Sequence, residues 1–158
     1  MYLGLKFIHV LAVIVFVGNI SIGVMWRTIG DITRDPRIIA HTMKGILLGD
    51  RLFTIPAVIV LLIAGIATAE VGHLSILGTG WILWGIILFI ISGIAFGPVV
   101  RSQRQMLAVA QAALTSGVMN WDDYARYGRV WNIAGTIALI LPLLAVAIMV
   151  TKPALPAF

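Results

Sequence analysis

Residues 81–100 read WILWGIILFIISGIAFGPVV, twenty consecutive residues without a charged side chain. An α-helix needs about 20 mostly apolar residues to cross the hydrocarbon core of a bilayer. Three further stretches have the same character, so the sequence predicts four membrane spans, at about 3–25, 52–69, 81–100 and 130–150. Backbone groups inside lipid must satisfy their own hydrogen bonds, and the spans are therefore predicted to be helices.

The composition of the whole chain is that of an integral membrane protein. Of its 158 residues, 61% are hydrophobic and 11% are charged, whereas soluble domains are roughly 45–50% apolar and about 25% charged. The chain has no cysteine, which excludes disulfides, thiolate nucleophiles and iron–sulfur clusters. We therefore predict an all-α fold, a single transmembrane four-helix bundle over residues 1–158.

Basic residues are distributed unevenly between the two sides of the predicted membrane. Nine of the eleven lysine and arginine residues fall in the links between spans one and two and between spans three and four, and the other side has only Lys6 and Lys152. Because cytoplasmic loops carry an excess of basic residues, we predict a bacterial cytoplasmic (inner) membrane protein with both termini outside. The net charge of +5 then reports topology. We expect contact with anionic lipid and no nucleic-acid partner.

The link between spans one and two contains a predicted amphipathic helix. Asp35-Pro36 resembles a helix N-cap followed by proline at the first helical position, and Ile39 and Met43 then fall on one face. We expect this short cytoplasmic helix to lie along the membrane surface.

The link between spans three and four also contains helix signals. We expect span three to continue as a helix beyond the membrane to about residue 115. Ser116-Gly117 would end it, and Asn120 would cap the next helix.

Two glycines in span three, Gly93 and Gly97, have the GxxxG spacing that lets helix backbones approach closely. The pair is open to two interpretations. It packs helices inside one bundle, or it forms a contact with a second copy of the chain or another membrane protein.

Polar residues inside spans are costly, and they are functional candidates by default. Asn19, Arg27 and Asn132 are the main ones, and the two asparagines are expected to form hydrogen bonds between helices. Asp50 and Arg51 open span two, and we expect them to pair with each other or with Arg27.

His9 is the strongest candidate for cofactor chemistry. Together with Phe16, Gly23 and Arg27 it forms one stripe along span one. An imidazole beside a small residue suits the axial ligation of a haem b, for which Met149 is a candidate second ligand at similar depth. The structural alternative is that His9 forms a hydrogen bond to a neighbouring helix.

His73, in the link between spans two and three, allows a different metal hypothesis. Together with His9 it could form a sparse copper or zinc site.

Four segments carry a resemblance to a known family. They are LKFIHVL at 5–11, Gly18-Asn19, DRLFTIP at 50–56 and MVTKP at 149–153. They resemble the predicted integral membrane proteins described as domain of unknown function 2269 (DUF2269). The resemblance covers nearly the whole chain and implies a small multi-pass membrane protein without an assigned activity.

More distantly, the chain resembles the HemJ-type protoporphyrinogen oxidases and the CopD-type copper-resistance membrane proteins. The HemJ-type resemblance rests on a Lys-x-x-His opening and a Lys-Pro ending, and it implies that His9 contacts haem or a porphyrin. Arg51 and Pro56 match that group in span two. Its lysine early in span three is missing here, where residues 81–85 read WILWG.

Three functional hypotheses follow. The first is binding of haem b or a porphyrin through His9, for electron transfer or tetrapyrrole handling. The second is a cofactor-free structural or accessory subunit of a larger membrane complex. The third is copper handling. The sequence alone assigns no enzyme activity.

Overall fold

Helices make up nearly all of the structure, a computed structural model that describes residues 1–157. In this range, the elements are α1 (Tyr2–Thr33), α2 (Pro36–Gly49), a π-helical turn (Asp50–Thr54), α3 (Ile55–Val71), α4 (Gly80–Ser116) and α5 (Trp121–Thr151). Counting Pro36–Val71 as one continuous helix, four helices of the described chain are long and apolar enough to cross a membrane. The predicted all-α fold with four spans is confirmed.

The helices around the link between α4 and α5 begin and end as the sequence predicts. Helix α4 continues well past the predicted span and ends at Gly117, whose positive φ of 75° suits a glycine at a helix C-terminus. The side chain of Asn120 then accepts a hydrogen bond from the Asp123 backbone N–H at 3.0 Å and caps α5.

The predicted amphipathic helix is present as α2, but its environment differs from the prediction. The Asp35 carboxylate caps it by accepting a hydrogen bond from the Arg37 backbone N–H at 2.8 Å. Its apolar face packs against α1 and α4, where Ile39 and Met43 are 0% and 1% exposed. The expectation that α2 lies along the membrane surface is therefore wrong, because its apolar side chains form part of the protein core.

A single π-helical turn joins α2 to α3. Proline has no backbone N–H, and its ring clashes with the carbonyl four residues earlier, which for Pro56 belongs to Leu52. The helix accommodates this with a wider turn in which the Ile55 backbone N–H bonds to the Asp50 carbonyl, five residues earlier. The chain therefore continues from α2 into α3 without a loop.

The core is concentrated at one end of the bundle. This end holds the α1–α2 and α4–α5 turns with most of the arginines, and we call this end of the bundle the basic end. The opposite end holds the chain termini and the α3–α4 link. Helices α4 and α5 pack along each other, α3 packs mainly against α1, and α2 fills the basic end between α1 and α4. The central buried side chains there include Ile39, Met43, Met106 and Trp131.

Gly93 and Gly97 do not pack helices together inside this bundle. Both are exposed, and a Cβ atom added at either would meet nothing within 4 Å. The interpretation that the pair packs helices within one bundle is therefore wrong. A contact with a second chain through the same face stays a prediction.

Candidate functional site

A buried cluster of polar side chains lies around Asp50, built by α1, the π turn and α4. The carboxylate accepts hydrogen bonds from Thr54 Oγ1 at 2.9 Å and from Gln103 Nε2 at 3.1 Å. Asn19 Nδ2 donates to Thr54 Oγ1 at 2.8 Å and lies 3.4 Å from the same carboxylate. Asp50, Thr54 and Gln103 are 7%, 1% and 2% exposed. We call these four residues the Asp50 cluster.

Local sequence explains why the carboxylate points inward. Ile39, Met43 and Ile46 are the buried stripe of α2, and Asp50 follows at the next helical repeat, so it lies on the same face. Gly49 makes room beside it, because a Cβ atom there would lie 3.1 Å from the Asn19 amide oxygen.

Among the described residues 1–157, Asp50 has no basic partner. The ion pairs of the described chain are Arg27–Asp31 and Arg126–Asp123. The expected pairing of Asp50 with Arg51 or Arg27 is therefore wrong. Arg51 is exposed, and amide and hydroxyl groups satisfy the carboxylate instead.

A second polar cluster joins α1 to α5 nearer the basic end. Arg27, 8% exposed, donates from Nη1 to Asn132 Oδ1 at 2.6 Å, and its guanidinium carbon lies 4.4 Å from the centre of the Trp131 ring. Its Nε lies 3.3 Å from Asp31, whose carboxylate also accepts a hydrogen bond from the Tyr124 hydroxyl. We call these five residues the Arg27 cluster.

A glycine on α5 allows this arrangement. A Cβ atom at Gly128 would lie 2.8 Å from Arg27 Nη2, so a larger residue would displace the guanidinium group.

His9 faces α3. Its Nδ1 lies 2.9 Å from the Leu61 carbonyl oxygen, and a Cβ atom at Gly65 would lie 3.0 Å from its ring. A carbonyl oxygen can only accept, so Nδ1 carries the proton and Nε2 of the neutral ring keeps its lone pair. The structural role predicted for His9 as the alternative to cofactor binding is a hydrogen bond to a neighbouring helix, and this is such a bond. It leaves Nε2 free to bind a metal.

The other two predicted ligands, Met149 and His73, lie on different elements. The Met149 side chain lies against Gly85 of α4, where an added Cβ atom would be 2.6 Å from its methyl group. His73 is exposed in the turn after α3, eight residues beyond Gly65 and so about 12 Å further along that helix direction. Within residues 1–157, no group of three or more His, Cys, Asp or Glu side chains could hold a metal ion.

The Asp50 cluster is the feature that sequence reasoning missed. Asp50 looked like the charged start of a span. Two features of the sequence indicate the cluster. Asp50 falls on the same helix face as the buried apolar residues of α2, and Pro56, six residues later, is compatible with a helix that continues through a π turn.

Comparison with known proteins identifies one family. The family model of predicted integral membrane proteins, DUF2269, matches residues 3–153. Neither the curated proteins nor the solved structures contain a match. The HemJ-type and CopD-type resemblances stay predictions. Since the match spans nearly the whole chain and four long apolar helices require a lipid bilayer, this chain belongs to the predicted integral membrane proteins of family DUF2269.

Proposed function

We propose that this protein is a proton-linked membrane protein in which the Asp50 carboxyl group gains and loses a proton. The observation that carries the proposal is a buried carboxylate that, in the part of the chain that the structure describes, is held by neutral groups and has no cation to fix its charge. Ionisable groups inside membrane proteins are rare, and they often mark proton or ion pathways.

Two opposed effects make both protonation states accessible. Burial in a low-dielectric environment penalises the charged carboxylate. The hydrogen bonds from Thr54 and Gln103 favour the charged form. A neighbouring arginine would have locked Asp50 in the charged form, but its partners here are amides and a hydroxyl.

Gln103 can serve both states. In the structure its Nε2 donates to Asp50, while its Oε1 is buried without a hydrogen-bond partner. When Asp50 is protonated, rotation of the Gln103 amide presents Oε1 as the acceptor for the new O–H group. The same side chain thus donates to the carboxylate and accepts from the carboxylic acid.

The Asp50 cluster lies not at the end of predicted span one but at the level of the span itself, where a proton-binding group on a path through the membrane is expected. Asn19, which contacts Asp50, lies eight residues before Arg27 in α1, so the carboxyl group lies about 12 Å from the level of Arg27. As part of the proposal, we take the basic end to face the cytoplasm of a bacterium, from the bias of basic residues.

Infrared difference spectroscopy of the reconstituted protein tests this proposal. Over roughly pH 4 to 10, which brackets ordinary and strongly shifted carboxyl groups, we expect a carbonyl band of a buried carboxylic acid that disappears in Asp50→Asn. Asp123→Asn, at a partly exposed helix end, is the matched control and should retain the band. A pH-difference spectrum that is the same for the wild type and Asp50→Asn would refute the proposal.

A second candidate function is haem or porphyrin binding through His9. The observation in its favour is the fixed ring. Metal-binding histidines commonly donate their other N–H to a carbonyl oxygen, and His9 does so to Leu61, which leaves Nε2 free. Met149, the candidate second ligand, packs against Gly85 of α4. A bound haem b would supply one-electron redox chemistry. Copper handling has less support, since His9 and His73 lie at different levels.

An absorption spectrum of the purified protein tests the second candidate. After expression with ample haem, we expect a Soret band that shifts on dithionite reduction and is lost in His9→Ala. His41→Ala, a change at an exposed histidine, should keep the band. A featureless visible spectrum of the wild type would reject haem and favour the cofactor-free accessory subunit.

A further inference from the structure

A cavity opens between α1 and α5 at the basic end. Its volume is 430 Å³, within the range of about 300 to 1,000 Å³ that is typical of ligand sites. Arg27, Arg34 and Asn132 are among its polar lining residues, and Val24 and Ile32 contribute apolar surface. The lining is therefore amphipathic.

Two residues that line the cavity, Arg27 and Trp131, each contain a buried nitrogen without a hydrogen-bond partner. Arg27 Nε is buried, and although it lies 3.3 Å from Asp31, it is not aligned for a hydrogen bond. The Nε1–H group of Trp131, a residue 7% exposed, is also buried without an acceptor. Unsatisfied buried donors are uncommon in native proteins, because each has lost its hydrogen bonds to water without replacing them. Both nitrogens are closed off from the cavity, so a ligand there would meet the accessible part of the Arg27 guanidinium and the exposed Arg34 instead.

The charge of the lining agrees with an anion. Arg27 and Arg34 contribute two positive charges and Asp31 one negative charge, which leaves a net charge of +1. The Asp31 carboxylate is already engaged by Arg27 and by the Tyr124 hydroxyl. Guanidinium groups match the geometry of phosphate oxygens.

The cavity also lies where lipid phosphates are found. Arg27 and Arg34 lie near the end of α1, at the edge of the apolar span. Ile32, 75% exposed, and Asn132, also exposed, border the cavity and leave it open to the surroundings of the bundle. A phospholipid can place its phosphate beside the arginines and its apolar part against Val24 and Ile32.

We propose that the cavity between α1 and α5 binds a phosphate group, with Arg27 and Arg34 as its ligands. This inference goes beyond proton binding at Asp50 and is independent of it. Asp50→Asn should therefore retain the ligand.

Native mass spectrometry of the full chain tests this site. The protein is purified in mild detergent and titrated with phosphatidylglycerol, with phosphatidylcholine or with inorganic phosphate. The variants are Arg27→Gln and Arg34→Gln. Arg104→Gln is the matched control, because Arg104 is an exposed arginine outside the cavity lining. Circular dichroism and a thermal melt confirm that each variant is folded.

We expect one phosphate-bearing ligand to bind the wild type, about tenfold weaker binding in each cavity variant, and less than about a twofold change in Arg104→Gln. Because Arg34 is exposed, Arg34→Gln keeps the test informative even if Arg27→Gln fails to fold. Binding of phospholipid that phosphate does not displace identifies a lipid headgroup. Displacement by inorganic phosphate identifies a free anion. No bound ligand in the wild type, or equal losses in Arg34→Gln and Arg104→Gln, would overturn the proposal.

Discussion

Thr54 is the position where the Asp50 cluster can be weakened with the least change in shape. Its hydroxyl donates to Asp50 at 2.9 Å and accepts from Asn19 at 2.8 Å, and the residue is 1% exposed. Thr54→Val replaces the hydroxyl by a methyl group of similar size. Asp50 then loses one of its hydrogen-bond donors, and Asn19 loses its nearest acceptor.

The size of the effect follows from these two hydrogen bonds. A hydrogen bond to a charged group contributes about 1.5–3 kcal/mol. A neutral hydrogen bond between membrane helices contributes about 0.6 kcal/mol on average. We therefore expect Thr54→Val to lower the free energy of unfolding by about 2–3.5 kcal/mol, and Thr54→Ser to recover most of the loss.

Reversible unfolding by sodium dodecyl sulfate in mixed micelles measures this difference. Thr136→Val is the matched control, because the exposed Thr136 hydroxyl bonds only to the Asn132 carbonyl of its own helix. We expect the control to change stability by about 0.5 kcal/mol or less. Equal effects of the two valine substitutions would refute the hydrogen-bonding argument for the cluster.

Three further predictions concern packing. Met106 is 0% exposed, and Met106→Ala should lower the free energy of unfolding by about 2–5 kcal/mol in the same assay. Ile94 is 71% exposed, and Ile94→Ala should lower it by about 0.5 kcal/mol or less. Similar losses in the two variants would contradict the assignment of the core. Gly65→Ala should displace the imidazole of His9 and break its hydrogen bond to α3, which nitrogen NMR of the ring would detect; an unchanged spectrum would contradict the close contact. Gly97→Ile should dissociate an oligomer formed through the exposed glycine pair, and an unchanged oligomer mass by light scattering would dismiss that contact.

The sequence was sufficient for the helices, because length and hydropathy determine them locally. The cap at Asn120 and the stop at Gly117 are likewise local signals, and both appear as predicted. The continuity of α2 with α3 was harder to predict, since Asp50 and Arg51 look like the polar boundary of a span. Only the structure shows that the helix passes this point unbroken, through the π turn.

The candidate sites depend on contacts between distant parts of the chain. The partners of Asp50 in other helices, Asn19 and Gln103, lie 31 and 53 residues away, and sequence spacing within one helix cannot reveal such neighbours. The same limit explains the glycine pair at Gly93 and Gly97. The spacing shows that small residues share one helix face, but only the structure shows that no side chain of another helix packs against them.

The π turn before Pro56 has a consequence for how this chain tolerates changes in length. A π turn holds one more residue than an α-helical turn, so it is equivalent to a one-residue insertion in a continuous helix. Deleting one residue from 50–54 would convert the wide turn into an ordinary α-helical turn, and the residues after it would keep their orientation. Deleting one residue from the regular part of α3 before Gly65 would instead rotate everything after it by about 100° around the helix axis. Gly65 would then leave His9, and α3 would present a different side to α1. The π turn is therefore the place where this helix can lose one residue and keep its contact with His9.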